Sequence, residues 1–339
     1  MTLSLPVEHP ARPRAVDLLP ADQPVKPRPP LRRWRYSPGV RLLAFTAAGV
    51  AALLAVVALS LLAPVAALTA RYWWVNRLGE LVVAITAYAV LVLVEQRRPI
   101  ELSPRRLPGL GWGLLLGAGL CTAVILVLAA AGSYRVLAVD PGYAFLPALV
   151  STGLTAAVAE ELVFRGVLFR LAEDLLGTWA AVAVSGLVFG LAHLGNPDAT
   201  VWGATAIALE AGVMFAAVYA VTRSLWWCMG LHFAWNMVQG PVFGSLVSGA
   251  GSASGWLRAD FPGPEWLTGG RFGIEASVVT VVLLTGLGVW LLVAVHRERI
   301  AVHPSWVRRR LLTVADAHSS TGRPRPADPA GSATRTTPS

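Results

Sequence analysis

Long apolar stretches, several of them free of any charge, leave this chain few ways to fold. Such runs lie near residues 42–68, 78–94, 110–131, 143 to beyond 165, 179–191, 201–221, 225–238 and 274–295. About 18 to 20 apolar residues cross the hydrocarbon of a bilayer. The pattern therefore predicts an all-α, polytopic membrane helix bundle with about eight transmembrane helices. The chain is 55% hydrophobic and 14% charged, with a mean hydropathy of +0.60. A soluble domain carries about 25% charge. A large soluble core could absorb some of this apolar content, but it has no use for such runs in succession.

The flanks have a different character. Residues 1–40 are rich in Pro and Arg, ending in P-R-P-P-L-R-R-W-R before the first apolar run. They read as a disordered, basic tail that is too long and too Pro-rich for a signal peptide. The first run contains Pro64, where a kink is expected. Residues 41–296 form the expected membrane domain, with its core near 143–296, and residues 297–339 a basic, mostly disordered tail. The formal charge is +9, and the basic excess sits mainly outside the apolar runs. That placement fits an anionic cytoplasmic leaflet and not nucleic acid. With an even number of spans both termini are cytoplasmic. The loop with Arg97, Arg98, Arg105 and Arg106 then lies inside, and the Gly/Ser-rich loop near 240–271 outside. Arg71 and Arg77 are the exceptions. Cys121 and Cys228 both sit in apolar surroundings and read as small core residues.

Ionisable groups inside apolar helices are expensive, so they pair and face the bundle interior. Three clusters qualify. In A-V-A-E-E-L-V-F-R-G, Glu161 and Arg165 are spaced i,i+4 and can form an ion pair. Glu160 points about 100° away and is free to act as a general base. The structural alternative is an ion-pair lock between helices. In S-G-L-V-F-G-L-A-H, His193 follows Phe189 by four residues, and taken alone it reads more readily as an interfacial or packing group. In L-H-F-A-W-N, His232 and Asn236 share a helix face. Asn236 could donate to a developing oxyanion, or the pair could be interhelical glue. The other histidines, His9, His296, His303 and His318, fall in or beside the tails, so the bundle holds only His193 and His232. Zinc-protease H-E-x-x-H and serine-hydrolase G-x-S-x-G sequences are absent.

E-E-L-V-F-R, F-G-L-A-H and H-F-A-W-N, in this order on separate helices, resemble the CPBP family. This is the family of CAAX-processing and bacteriocin-processing intramembrane endopeptidases, also called the Abi or type II CAAX protease family. The resemblance covers roughly 42–295, and G-G-R-F-G-I-E before the last span is also similar to bacterial members. It implies that Glu160, with His193, activates the attacking water, and that Glu161 and Arg165 brace the site. His232 and Asn236 would stabilise the oxyanion. The family has been described both as zinc metalloproteases and as metal-free, so a Zn²⁺ held by Glu160, His193 and His232 is one expectation and a metal-free site the other. Glu160 and His193 can meet only if the fifth helix tilts or the site opens into a polar cavity.

The expected activity is hydrolysis of a peptide bond in a membrane-associated peptide or protein, with substrate and membrane lipids as partners. The Ala, Arg, Val and Gly usage suggests a high-GC bacterial genome. A bacterial plasma membrane is then the expected location, and a precursor peptide or small membrane protein the expected substrate. Two other classes compete: a non-catalytic scaffold or immunity protein, and a transporter using Glu160 and Glu161 as a proton relay.

Overall fold

The computed structural model describes residues 37–251, 254–308 and 310. Of the tails expected over 1–40 and 297–339, residues 1–36, 309 and 311–339 lie outside the described residues, while residues 38–40 already belong to the first helix. The helices are α1 (Pro38–Ser60), α2 (Ala63–Arg71), α3 (Val75–Glu95), α4 (Pro108–Ala130), α5 (Phe145–Leu176), α6 (Thr178–Ala192), α7 (Val201–Thr222), α8 (Leu225–Met237) and α9 (Val278–Arg297). Among the described residues, seven helices are long and apolar enough to cross a membrane. They expose Leu43, Leu54, Leu115, Leu126, Val282 and Trp290 on the outside of the bundle. Side chains of this kind are stable only against lipid, so this is an integral membrane protein with an all-α, polytopic bundle.

The local sequence explains where helices start and stop. Pro38 occupies the first turn of α1, where a missing N–H costs nothing. The single span expected over 42–68 is instead broken at Leu61 and Leu62, and Pro64 sits in the first turn of α2. Inside a continuous helix its ring would displace the preceding turn. Thr200 caps α7 by accepting from Gly203 N at 2.8 Å, and Ser277 caps α9 by accepting from Val279 N. The last span therefore begins at Val278, later than the expected 274, because residues Ile274–Ala276 form a separate tight turn.

The segment expected to cross at 225–238 is α8, which continues through a wider turn, Val238–Val242. The helix itself has 13 residues, and Cys228, Met229, Gly230 and Leu231 on it are all buried. It lies against α4 along a stripe of glycines. A Cβ added at Gly113 would come 2.4 Å from Trp227 O, and one at Gly117 2.3 Å from Leu231 O. From the other side, a Cβ at Gly230 would come 2.4 Å from Leu110 O. Backbone meets backbone here, the close approach that small residues permit between membrane helices. Gly117→Val is expected to cost about 1–3 kcal/mol by overpacking. Thermal unfolding of the detergent-solubilised protein checks this, and an unchanged midpoint would show that the two helices can separate freely. Cys121 and Cys228 are buried free thiols in this core.

The two ends of the bundle differ. At one end charged side chains are buried in pairs: Arg41 with Glu95 at 3.2 Å, Arg170 with Glu95 at 2.8 Å, Arg97 with Glu101 at 2.7 Å. Burial raises the Glu101 carboxyl, but the Arg97 guanidinium outweighs it and holds the group below the ordinary carboxylate range. The chain after α9 returns to this end. Thr178 N donates to Val302 O at 3.0 Å, and Arg308 pairs with Asp174 at 2.9 Å. The basic stretch from 297 thus begins as packed chain. At the other end, β1 (Arg135–Val139) and β2 (Leu257–Asp260) form an antiparallel ribbon, with Arg135 opposite Asp260 and Val139 opposite Leu257. The long Gly/Ser-rich loop supplies β2, and the ribbon ties it to the α4–α5 connection.

Candidate active site

α5 is not a uniform helix. Two wider, π-helical stretches, Leu149–Thr155 and Leu162–Phe169, flank the short regular segment Ala156–Glu161. Such turns inside helices concentrate at functional sites, because they re-aim side chains that a regular helix would stagger evenly. Here they present two adjacent carboxylates in different ways. Glu161 is fully buried and accepts from Arg165 Nη1 at 2.9 Å. Arg165 is buried as well, and its Nη2 donates to the carbonyls of Ala211 and Gly212 on α7, each at 3.3 Å. Its guanidinium carbon lies 4.7 Å from the Phe189 ring centre and 4.9 Å from that of Phe215. The expected i,i+4 pair is thus also a clamp between α5 and α7. Glu160, with its side chain 31% exposed, faces a cavity instead.

α8 brings the third motif to the first. His232 Nδ1 lies 3.0 Å from Glu161 Oε1, and its Nε2 lies 4.0 Å from Glu160 Oε2. An ionised carboxylate only accepts, so Nδ1–H donates to Glu161 and Nε2 is turned toward Glu160. His193, at the end of α6, is oriented by the same logic. Its Nδ1 is 2.7 Å from Phe189 O, and a carbonyl only accepts, so Nδ1–H donates there and Nε2 stays available. The i,i+4 spacing of Phe189 and His193 thus provides a backbone-to-ring bond as well as a ring contact, with centroids 4.7 Å apart. Asn236 donates Nδ2–H to Thr152 O at 3.0 Å, in the first π-helical stretch of α5. Its second N–H is not used in that bond.

All these groups except Glu161 and Arg165 line one cavity of about 890 Å³. Glu160 and His193 meet across it without a direct hydrogen bond among the described residues, so the polar cavity joins α5 to α6. Its wall includes two carboxylates that sequence reasoning did not assign, Glu210 on α7 and Glu275 before α9. Glu275 accepts from Ser248 N and, at 2.9 Å, from Ser248 Oγ. Burial raises its carboxyl against the lowering effect of those bonds. Glu210 is 1% exposed, and neither of its oxygens has a hydrogen-bonding partner among the described residues. A lone Glu inside A-I-A-L-E-A-G-V was the available signal, since a carboxylate in an apolar helix is costly wherever it sits. Removing that cost should help the fold. Glu210→Leu is expected to stabilise the protein by about 1–3 kcal/mol. A lowered unfolding midpoint would instead reveal a partner for this carboxyl.

Among the described residues, no three His, Cys, Asp or Glu side chains stand close enough together to hold a metal ion. Glu160, His193 and His232 share the cavity wall but not the spacing of a ligand set. The Nδ1 bonds of His232 to Glu161 and of His193 to a carbonyl leave each Nε2 turned to the cavity, the orientation that metal-ligating histidines also adopt. As placed, the three groups lack the spacing of a zinc site, and no step below is routed through a metal.

No curated protein and no solved structure matches the chain. A family model does: residues 142–238 match type II CAAX prenyl endopeptidase Rce1-like. The match spans Glu160, Glu161, Arg165, His193, His232 and Asn236, and it ends four residues before the wide turn after α8 does. The segment that builds the cavity's core is thus similar to Rce1-like type II CAAX prenyl endopeptidases, in line with the family that the three motifs resemble.

Proposed function

We propose that the protein is an intramembrane endopeptidase that hydrolyses a peptide bond in a membrane-associated peptide or protein, with Glu160 as the general base. The observation that carries this reading is the division of labour between adjacent carboxylates. Glu161 is buried and committed to Arg165 and His232, whereas Glu160 faces the cavity and its Oε2 has no hydrogen-bonding partner among the described residues. A general base must be free to take a proton, and the group beside it must be fixed to keep its neighbours aligned.

In this mechanism a water in the cavity gives its proton to Glu160, assisted by the free Nε2 of His193, and its oxygen attacks the scissile carbonyl carbon. His232, carrying a proton on Nε2 as well as Nδ1, and the second N–H of Asn236 donate to the resulting oxyanion. The C–N bond then breaks, and the proton held by Glu160 passes to the leaving amine. Arg165 and Glu161 act through His232, holding its ring. A second recess of about 540 Å³ between α1, α3 and α5 is lined by Phe45, Val50, Leu53 and Val83 and also reaches Glu160. It gives a lipid-embedded substrate an apolar approach to the base. The test is cleavage of a membrane-peptide library by the purified protein, read by mass spectrometry. Defined fragments that disappear in a folded Glu160 variant support the reading, and their absence from the native protein refutes it.

A further inference from the structure

The polar cavity opens toward one end of the bundle only. Beyond the helix faces, its lining comes from the α2–α3 connection (Trp73), the α4–α5 connection (Asp140, Tyr143), the turn after α6 (Asn196) and the loop before α9 (Ser248, Ala250). All four connections lie at the end that carries the β1–β2 ribbon. The arginine-rich connections lie at the opposite end. The α3–α4 connection holds four arginines, Arg97, Arg98, Arg105 and Arg106, and the described chain after α9 holds Arg299, Arg308 and Arg310. The α4–α5 connection at the cavity end holds one, Arg135. The other cavity-end arginines are Arg71, over the Tyr72 ring, and Arg77, Arg258 and Arg271, paired with Glu80, Asp140 and Asp198; the opposite end holds more, with Arg41 and Arg223 beside those named above.

Short loops rich in Arg and Lys stay on the cytoplasmic side of a membrane. From this we infer that the catalytic cavity opens on the extracytoplasmic face, and that its substrates are peptide segments displayed on that face by exported or membrane-anchored chains. The sidedness rests on arginine placement and cavity geometry, and the substrate class also rests on the endopeptidase reading. Water and an extended peptide would enter from outside the cell, between the ribbon and the loop before α9. Polypeptide tails that stay in the cytoplasm would meet only the closed, ion-paired end.

Two thiol variants read the sidedness without any need for activity. Ala250→Cys places a thiol at the exposed rim of the cavity, and Glu298→Cys places one at the exposed opposite end. The native protein, with both its cysteines buried, is the blank. In intact cells a membrane-impermeant maleimide should label Ala250→Cys, and should label Glu298→Cys only after lysis. Labelling of Glu298→Cys in intact cells, or of Ala250→Cys only after lysis, overturns the inference. A soluble, impermeant peptide cleaved by the detergent-solubilised protein is then offered to sealed vesicles of each orientation. Cleavage by right-side-out vesicles alone supports the substrate class, and cleavage by inverted vesicles alone overturns it. If labelling places the cavity outside but no peptide is cut even in detergent, the endopeptidase reading and its substrate class fall while the sidedness stands.

Discussion

Glu160→Gln leaves the bundle folded and lowers peptide cleavage by about 10²–10⁴-fold, the usual contribution of a positioned general base. The substitution keeps the shape of the side chain and removes its ability to accept a proton. It should spare the fold because Glu160 is partly exposed and makes no hydrogen bond at Oε2 among the described residues. The measurement is kcat/KM on one cleaved peptide beside thermal unfolding of both proteins. Cleavage near the native rate would remove Glu160 from the chemistry. Loss of folding together with loss of partner binding would favour a scaffold, in which these carboxylates only hold helices together.

Arg165→Met should act in the opposite order, through the fold first. Arg165 is fully buried, pairs with Glu161, donates to two carbonyls on α7 and lies between the rings of Phe189 and Phe215. Removing it leaves the Glu161 charge buried with His232 as its remaining partner. Breaking one side of a buried ion pair costs about 3–5 kcal/mol, a large part of the stability of most proteins. The double variant Arg165→Met with Glu161→Gln should recover part of that loss, because neither charge is then stranded. It should not recover cleavage, since His232 would no longer be held by a carboxylate. Near-native stability of the single variant would show that water or a rearranged side chain can replace the guanidinium.

Much of this arrangement is legible in the sequence because lipid tolerates so few solutions. The apolar runs locate the helices, and the charges inside them locate the site. Glu160, Glu161, His193, His232 and Asn236 stand out for the same reason, each being a polar side chain in a segment that gains nothing locally from it. Other features leave weaker traces. The break after Ser60 needs Pro64 to be read as a helix start and not as a kink within one helix. The π-helical stretches of α5 carry no sequence mark, since they depend on how α7 and α8 pack around it. Gly113 and Gly117 look like ordinary small residues until the partner backbone of α8 is in place. Glu210 is as anomalous as Glu160 by composition, but it lacks a neighbouring motif to draw attention to it.

The seat of α8 bears on when such a protein becomes active. This helix carries both His232 and Asn236, yet it is short and touches the rest of the protein more than it touches lipid. A segment of that kind has little to hold it in a membrane by itself. Its place is set by α4, through glycines that admit its backbone at close range. On the endopeptidase reading, the seating of α8 against α4 is what brings His232 and Asn236 to Glu160 and Glu161, so completion of the site is a packing event.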